Sequence, residues 1–135
     1  MFEPKENINP RALSPLSLAY IGDAVYEVYV REHVMSKANM PVSRLHRAAT
    51  GYVKAKAQSD IIHAIADRLT EEELGVFKRG RNAHSHTGAK NAGIVDYRHA
   101  TGFEALVGFL YLDGQSRRLD EILKMSVDYI DLTKE

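Results

Sequence analysis

Residues 13–30 read LSPLSLAYIGDAVYEVYV, an apolar run broken near its middle by a carboxylate, Asp23. Leu16, Ala19, Tyr20, Asp23, Ala24 and Glu27 recur at three- and four-residue intervals. The stretch therefore reads as a helix that carries Asp23 on a face expected to be buried. An ionised carboxylate buried without a partner costs several kcal/mol. The pattern predicts a cation or a hydrogen-bond donor at that point, or a proton held on the group. A helix N-terminus or an arginine would satisfy Asp23 without any function.

A second stretch repeats the oddity. Residues 100–112 read ATGFEALVGFLYL, again apolar and again with a single carboxylate, Glu104. Small residues flank both acids, Gly22 and Ala24 beside Asp23, Gly102 and Ala105 beside Glu104. Two helices could approach closely there, bringing the acids into one partly apolar cleft. Like charges that close do not both stay ionised unless a positive ion lies between them. A hard divalent cation with oxygen ligands, Mg²⁺ or Mn²⁺, is the natural occupant.

The chain has 135 residues, which is a single domain by length, and nothing in it reads as a linker. Cysteine is absent, which excludes disulfides, zinc-thiolate sites and a thiol nucleophile. No uncharged apolar run approaches the roughly 18 to 20 residues of a membrane span. The first ten residues, MFEPKENINP, are polar and carry acids, unlike a signal peptide. The expected compartment is the cytoplasm.

Net charge is zero, with 18 basic and 18 acidic residues, yet the distribution is uneven. Lys78, Arg79, Arg81, Lys90 and Arg98 face a single acid, Asp96, between residues 78 and 99, and Arg44, Arg47, Lys54 and Lys56 face none between 44 and 56. A neutral chain of this kind can present a basic face.

Taken in order, Ser14 followed by Pro15 opens a first helix running to about Ser36. Ser43 is expected to cap a second helix that breaks or bends at Gly51. Ala55, Ile61, Ile62, Ile65, Ala66 and Leu69 predict an amphipathic helix over residues 53–69. Thr70 and Glu73 form a capping box ahead of Leu74, Val76, Phe77 and the basic run KRGRNA. Residues 84–96 lose periodicity and read as a mobile loop. The helix bearing Glu104 follows and stops at Asp113-Gly114, and Ser116 caps a last one with an apolar stripe of Leu119, Ile122, Leu123, Val127 and Ile130. With no convincing strand, the fold class is all-α.

A divalent ion held by two carboxylates suits phosphodiester hydrolysis, because the metal neutralises phosphoryl charge and lowers the pKa of a bound water. The basic face would serve a phosphate-bearing partner. No Walker loop, dinucleotide fingerprint, H-E-x-x-H or G-x-S-x-G motif competes with that reading. His84 and His86 have metal-like spacing but lack a companion ligand. His33, His46, His63 and His99 read as surface or helix-end residues.

At this point the two acidic stretches carry a resemblance. YIGDAVYE, residues 20–27, resembles the signature of the ribonuclease III catalytic domain, and FEALVGFLYLD, residues 103–113, resembles its second acidic helix, with about eighty residues between Asp23 and Glu104. The resemblance covers nearly the whole chain. With no double-stranded-RNA-binding domain following, the short length and KRGRNA look like Mini-III, the bacterial group that trims the ends of 23S ribosomal RNA precursors. It implies an all-helical homodimer that cuts double-stranded RNA with Mg²⁺, leaving 5′-phosphate and 3′-hydroxyl ends. Asp23 and Glu104 match the family's essential acids as catalytic residues and metal ligands. Two further family acids fall on Ala19 and Thr101, which predicts weak metal affinity. Glu27 and the Thr101 hydroxyl are candidate helpers.

RNA binding would then fall to the catalytic domain itself. Lys54, Lys56, Lys78, Arg79, Arg81 and Asn82 are the candidates for phosphate and 2′-hydroxyl contacts. Gly80 would let the backbone approach a phosphate, and residues 84–96 would act as a groove-contacting flap. Apolar residues around Tyr26, Val28, Tyr29 and Val30 could supply a dimer surface. Two other readings stand beside this one: an RNA-binding module without catalysis, suggested by Ala19 and Thr101, and an inert helical dimer.

Overall fold

The Ser14 hydroxyl accepts a hydrogen bond from the Ser17 amide at 3.2 Å and Pro15 occupies the first helical position, so the chain turns from a short 3-10 segment (Pro10–Ala12) into a long helix. The computed structural model describes residues 2–83 and 92–134. Among them the chain forms α1 (Pro15–Lys37), α2 (Val42–Val53), α3 (Ala55–Ile65), α4 (Glu71–Asn82), α5 (Ala92–Leu112) and α6 (Ser116–Thr133), and no strand. The all-α expectation holds.

The central element is α5. It packs against α1, α3, α4 and α6, and Phe103, Ala105, Leu106, Val107, Phe109 and Leu110 are all buried along it. From Ala100 onward, burial on nearly every side explains why its sequence is apolar all round rather than striped. The capping box at the start of α4 forms as expected: the Glu73 amide donates to Thr70 Oγ1 at 3.1 Å and the Thr70 amide to Glu73 Oε1 at 2.9 Å. At the far end of α5, Gly114 adopts φ +72°, and the Gln115 amide donates to the Leu110 carbonyl at 3.0 Å, closing the helix.

Close helix contacts come from glycines, in an arrangement that differs from the expected one. Gly22 faces the main chain of Glu104, and a Cβ on Gly108 would meet the Leu18 carbonyl oxygen at 1.9 Å, so α1 and α5 run antiparallel almost backbone to backbone. Gly102 and Ala105 do not serve that crossing. A Cβ on Gly102 would lie 2.6 Å from the Phe77 carbonyl oxygen, and one on Gly80 would lie 2.8 Å from Ala105 Cβ, so these residues seat α4. Gly80 is buried in that contact instead of lying open to a phosphate.

Other boundaries also need correction. Neither Ser43 nor Ser116 is a cap; both lie inside their helices, which start after Pro41 and Gln115 without a side-chain cap. The helix passes through Gly51 and ends at Val53, where the Lys54 backbone turns extended, so the break lies three residues beyond the glycine. The expected helix over 53–69 is the shorter α3 followed by a 3-10 turn (Ala66–Arg68). Gly93, Ile94, Val95 and Asp96 belong to α5 instead of a loop. Ala92 starts that helix, and the rest of the expected flap, residues 84–91 with His84 and His86, lies outside the described residues.

The α1 face is rotated from the one predicted. Leu18, Ala19, Gly22, Val25, Tyr26, Val30 and Val34 are buried, whereas Leu16 is 41% and Tyr20 83% exposed, and Asp23 and Ala24 are exposed with them. Tyr26 and Val30 therefore belong to the core and cannot form a dimer surface. Tyr26 packs edge-on to Phe103 and its hydroxyl donates to the Tyr52 carbonyl at 2.8 Å.

Candidate active site

The Gly22 contact determines the site. Because α1 and α5 cross with Gly22 against the Glu104 backbone, the next residue along α1, Asp23, is brought to the Glu104 side chain, close enough for the two carboxyls to interact directly. Burial, reinforced by the Asp23 charge, pushes the Glu104 carboxyl up to about 8. At neutral pH the pair thus holds a proton unless a cation replaces it. Asp23 stands on the exposed side of α1 and Glu104 is half-buried, so the pair opens to solvent.

A third residue, absent from the sequence reading, completes the environment. Gln58 on α3 is 2% exposed, and its Nε2 donates to Glu104 Oε2 at 3.2 Å and to the Val53 carbonyl at 2.8 Å. The signal for it was a polar residue three positions before Ile61, on the apolar face of α3.

At the two positions where the chain departs from the family's acids, neither residue reaches the pair with a ligand. Ala19 is buried in the core, and the Thr101 hydroxyl donates to the Tyr97 carbonyl at 3.0 Å, a bond within its own helix. Glu27 pairs with Arg31 at 3.0 Å. Among the described residues no group of three or more His, Asp or Glu side chains converges to hold a metal. Two adjacent carboxylates, one of them raised by burial and like charge, nevertheless suit a hard divalent ion.

The basic candidates separate into two kinds. Lys78 and Arg79 on α4 are exposed, and among the described residues no carboxylate pairs with either. Arg81 stacks its guanidinium over Phe77 at 5.7 Å and donates to Asn82 Oδ1 at 3.1 Å. Lys54 is exposed at the α2–α3 corner, but Lys56 already pairs with Asp60 at 2.9 Å. Of the histidines, His46 and His63 are exposed and His99 stacks on Phe77, whereas His33 is tied to Asp131 at 2.9 Å.

The ribonuclease III domain model matches residues 16–115, a span that contains both acids and the α4 basic run. The chain belongs to the ribonuclease III family, in its Mini-III branch. A "Mini-ribonuclease 3" of Symbiobacterium thermophilum is 50% identical over 123 residues, covering 91% of this chain and 95% of that protein. One from Enterococcus faecalis is 47% identical over 127 residues, covering 93% and 96%. Among solved structures, protein FN1578 of Fusobacterium nucleatum matches with a TM-score of 0.78 and 29% identity, covering 87% of this chain and 94% of that one. This ribonuclease III domain is accordingly an endoribonuclease acting on double-stranded RNA. Among its described residues no helix is long and apolar enough to cross a membrane.

Proposed function

We propose that the Asp23–Glu104 pair is the catalytic centre of a Mg²⁺-dependent enzyme that cuts duplex RNA, with 23S ribosomal RNA precursor as its substrate in the cytoplasm. The observation that carries this reading is the pairing itself: two carboxyls from different helices share one half-buried, solvent-facing position where a proton or a cation is required. Asp23 and Glu104 would hold the ion, and Mn²⁺ would substitute for Mg²⁺. Once bound, such an ion screens phosphodiester charge and makes a water acidic enough to attack phosphorus.

The chain's own residues do the rest. Asp23 and Glu104 supply the negative charge that selects a divalent ion, and the α1–α5 backbone contact fixes their separation. Lys54, Lys56, Lys78, Arg79, Arg81 and Asn82 grip phosphates and 2′-hydroxyls, with Lys56 the weakest because Asp60 already neutralises it. The whole chain acts as one catalytic domain, and two copies form the active dimer. Leu16, Tyr20 and Val28, exposed on α1 at 41%, 83% and 52%, support that association.

A labelled RNA duplex incubated with the purified protein tests the assignment. Cleavage in Mg²⁺, its loss in EDTA, and its loss in Asp23→Asn and Glu104→Gln with duplex binding retained are the expected results. Undiminished cutting by Asp23→Asn would refute it. Binding without cleavage by the native protein would favour a module that only holds RNA.

A further inference from the structure

Among the described residues, Gln58 is the uncharged polar side chain that hydrogen-bonds to the acid pair, and it is itself fully enclosed, at 2% exposure. Its orientation is unambiguous. Both of its partners, the Val53 carbonyl oxygen and Glu104 Oε2, are acceptors, so the amide must present its two N–H groups to them. The opposite atom, Oε1, is buried and has no hydrogen-bond partner among the described residues. An enclosed acceptor without a donor lowers stability, and native chains seldom retain one without a reason. Leucine or methionine would fill the same space on the apolar face of α3 without that cost. The geometry identifies what the amide does that they cannot: one N–H is anchored to the end of α2 and the other reaches the Glu104 carboxylate, so the amide bridges the α2–α3 corner to the acid on α5.

We infer that Gln58 is a positioning residue for divalent-ion binding: its side-chain amide fixes the Glu104 carboxylate beside Asp23. This rests on the reading of Asp23 and Glu104 as ion ligands. Groups that orient a ligating carboxylate typically change metal affinity 10- to 100-fold when removed. The Gln58 side chain bonds to Val53 and Glu104 and, among the described residues, to none of the RNA-binding candidates, and its backbone bond to the Lys54 carbonyl at 3.1 Å survives substitution, so its removal acts on the ion and on turnover, not on duplex binding.

The test is Mn²⁺ titration of the full-length protein in the absence of RNA, with free ion read by electron paramagnetic resonance, for the native chain, Gln58→Leu, Gln58→Met and Asp23→Asn. Loss of about 10-fold or more in Mn²⁺ affinity by both Gln58 variants is expected, with duplex affinity in EDTA unchanged, KM for duplex unchanged and kcat reduced. Combining Gln58→Leu with Glu104→Gln should add nothing to the loss from Glu104→Gln alone, because the amide then has no carboxylate to hold. Native-like Mn²⁺ affinity in folded Gln58→Leu or Gln58→Met overturns the proposal. So does loss of the helical circular dichroism spectrum in both variants, since the amide would then be a structural requirement. Failure of the underlying site reading looks different: Asp23→Asn would bind Mn²⁺ as the native chain does.

Discussion

A Cβ added to Gly22 would lie 1.7 Å from the carbonyl oxygen of Glu104. No rotamer change relieves that contact, because both atoms belong to main chain or are fixed to it. The same crossing that excludes a side chain at residue 22 sets the distance between Asp23 and Glu104, so packing and chemistry are coupled at a single position.

Gly22→Ala should therefore force α1 and α5 apart. Overpacking of this kind costs about 3 kcal/mol or more, and the variant should melt many degrees lower by circular dichroism. Any folded fraction should cut RNA poorly, because its acids are separated. Gly75→Ala is the control, since among the described residues a Cβ there would meet the flexible Arg79 side chain, at 3.4 Å, and no other helix.

Glu104→Gln should stabilise the metal-free protein at alkaline pH. The folded-state value of Glu104, about 8, lies above the ordinary 4.5, so the folded state binds more protons across that interval. Stability contributed by the protonated group is full below pH 4.5 and lost as pH rises toward 8. Each unit is worth about 1.4 kcal/mol, so in EDTA at pH 8 the variant should gain a few kcal/mol in chemical denaturation. Added Mg²⁺ should narrow the gap by stabilising only the native chain. A variant less stable than the native protein at every pH would contradict this.

Arg118 locks α6 to α4. Its Nε and Nη2 donate to the two Glu73 oxygens at 2.8 and 2.9 Å, and Nη2 also donates to the Arg68 carbonyl at 2.7 Å. Glu73 is 4% exposed; its burial opposes ionisation, but Arg118 and Thr70 outweigh that and hold its carboxyl below the ordinary value. Arg118→Leu leaves that charge enclosed and unpaired, which should cost about 3 to 5 kcal/mol in urea unfolding. Glu121→Ala, which breaks only the exposed branch of the network, should change stability by less than about 1 kcal/mol.

Duplex binding should separate the basic residues. Arg79→Ala should weaken binding across all sequences and lower the slope of log affinity against log salt by about 1. Lys56→Ala should change both less, because Asp60 already compensates that charge. Anisotropy titrations at several salt concentrations measure the two effects, and equal losses would remove the distinction.

Asp131 should protect the fold against acid. Burial opposes its ionisation, yet Lys37, Tyr52 and His33 outweigh that and hold the carboxyl at about 2. The stabilisation is present above the ordinary 3.8 and disappears as pH falls toward 2. Asp131→Asn should reduce stability by about 1 kcal/mol at pH 7 and show a shallower decline between pH 4 and 2.

The amino-acid sequence determined the helical class, the capping box at Thr70 and Glu73, the stop at Gly114 and the two acids, because each depends on local spacing or on a residue whose backbone preference is strong. It could not tell which side of α1 is buried. Leu16 and Tyr20 are as apolar as Leu18 and Tyr26, and only the α5 contact at Gly22 selects between the faces. The same holds for Gly80 and Gly102, which read as freedom near a phosphate or near α1 and prove to be the seat of α4. Gln58 gave only a weak local signal, one amide on an apolar stripe, and its relation to Glu104 spans 46 residues of chain. Local patterns fix what each segment becomes; which side chains meet depends on how closely the backbones cross, and that is decided only when the helices pack.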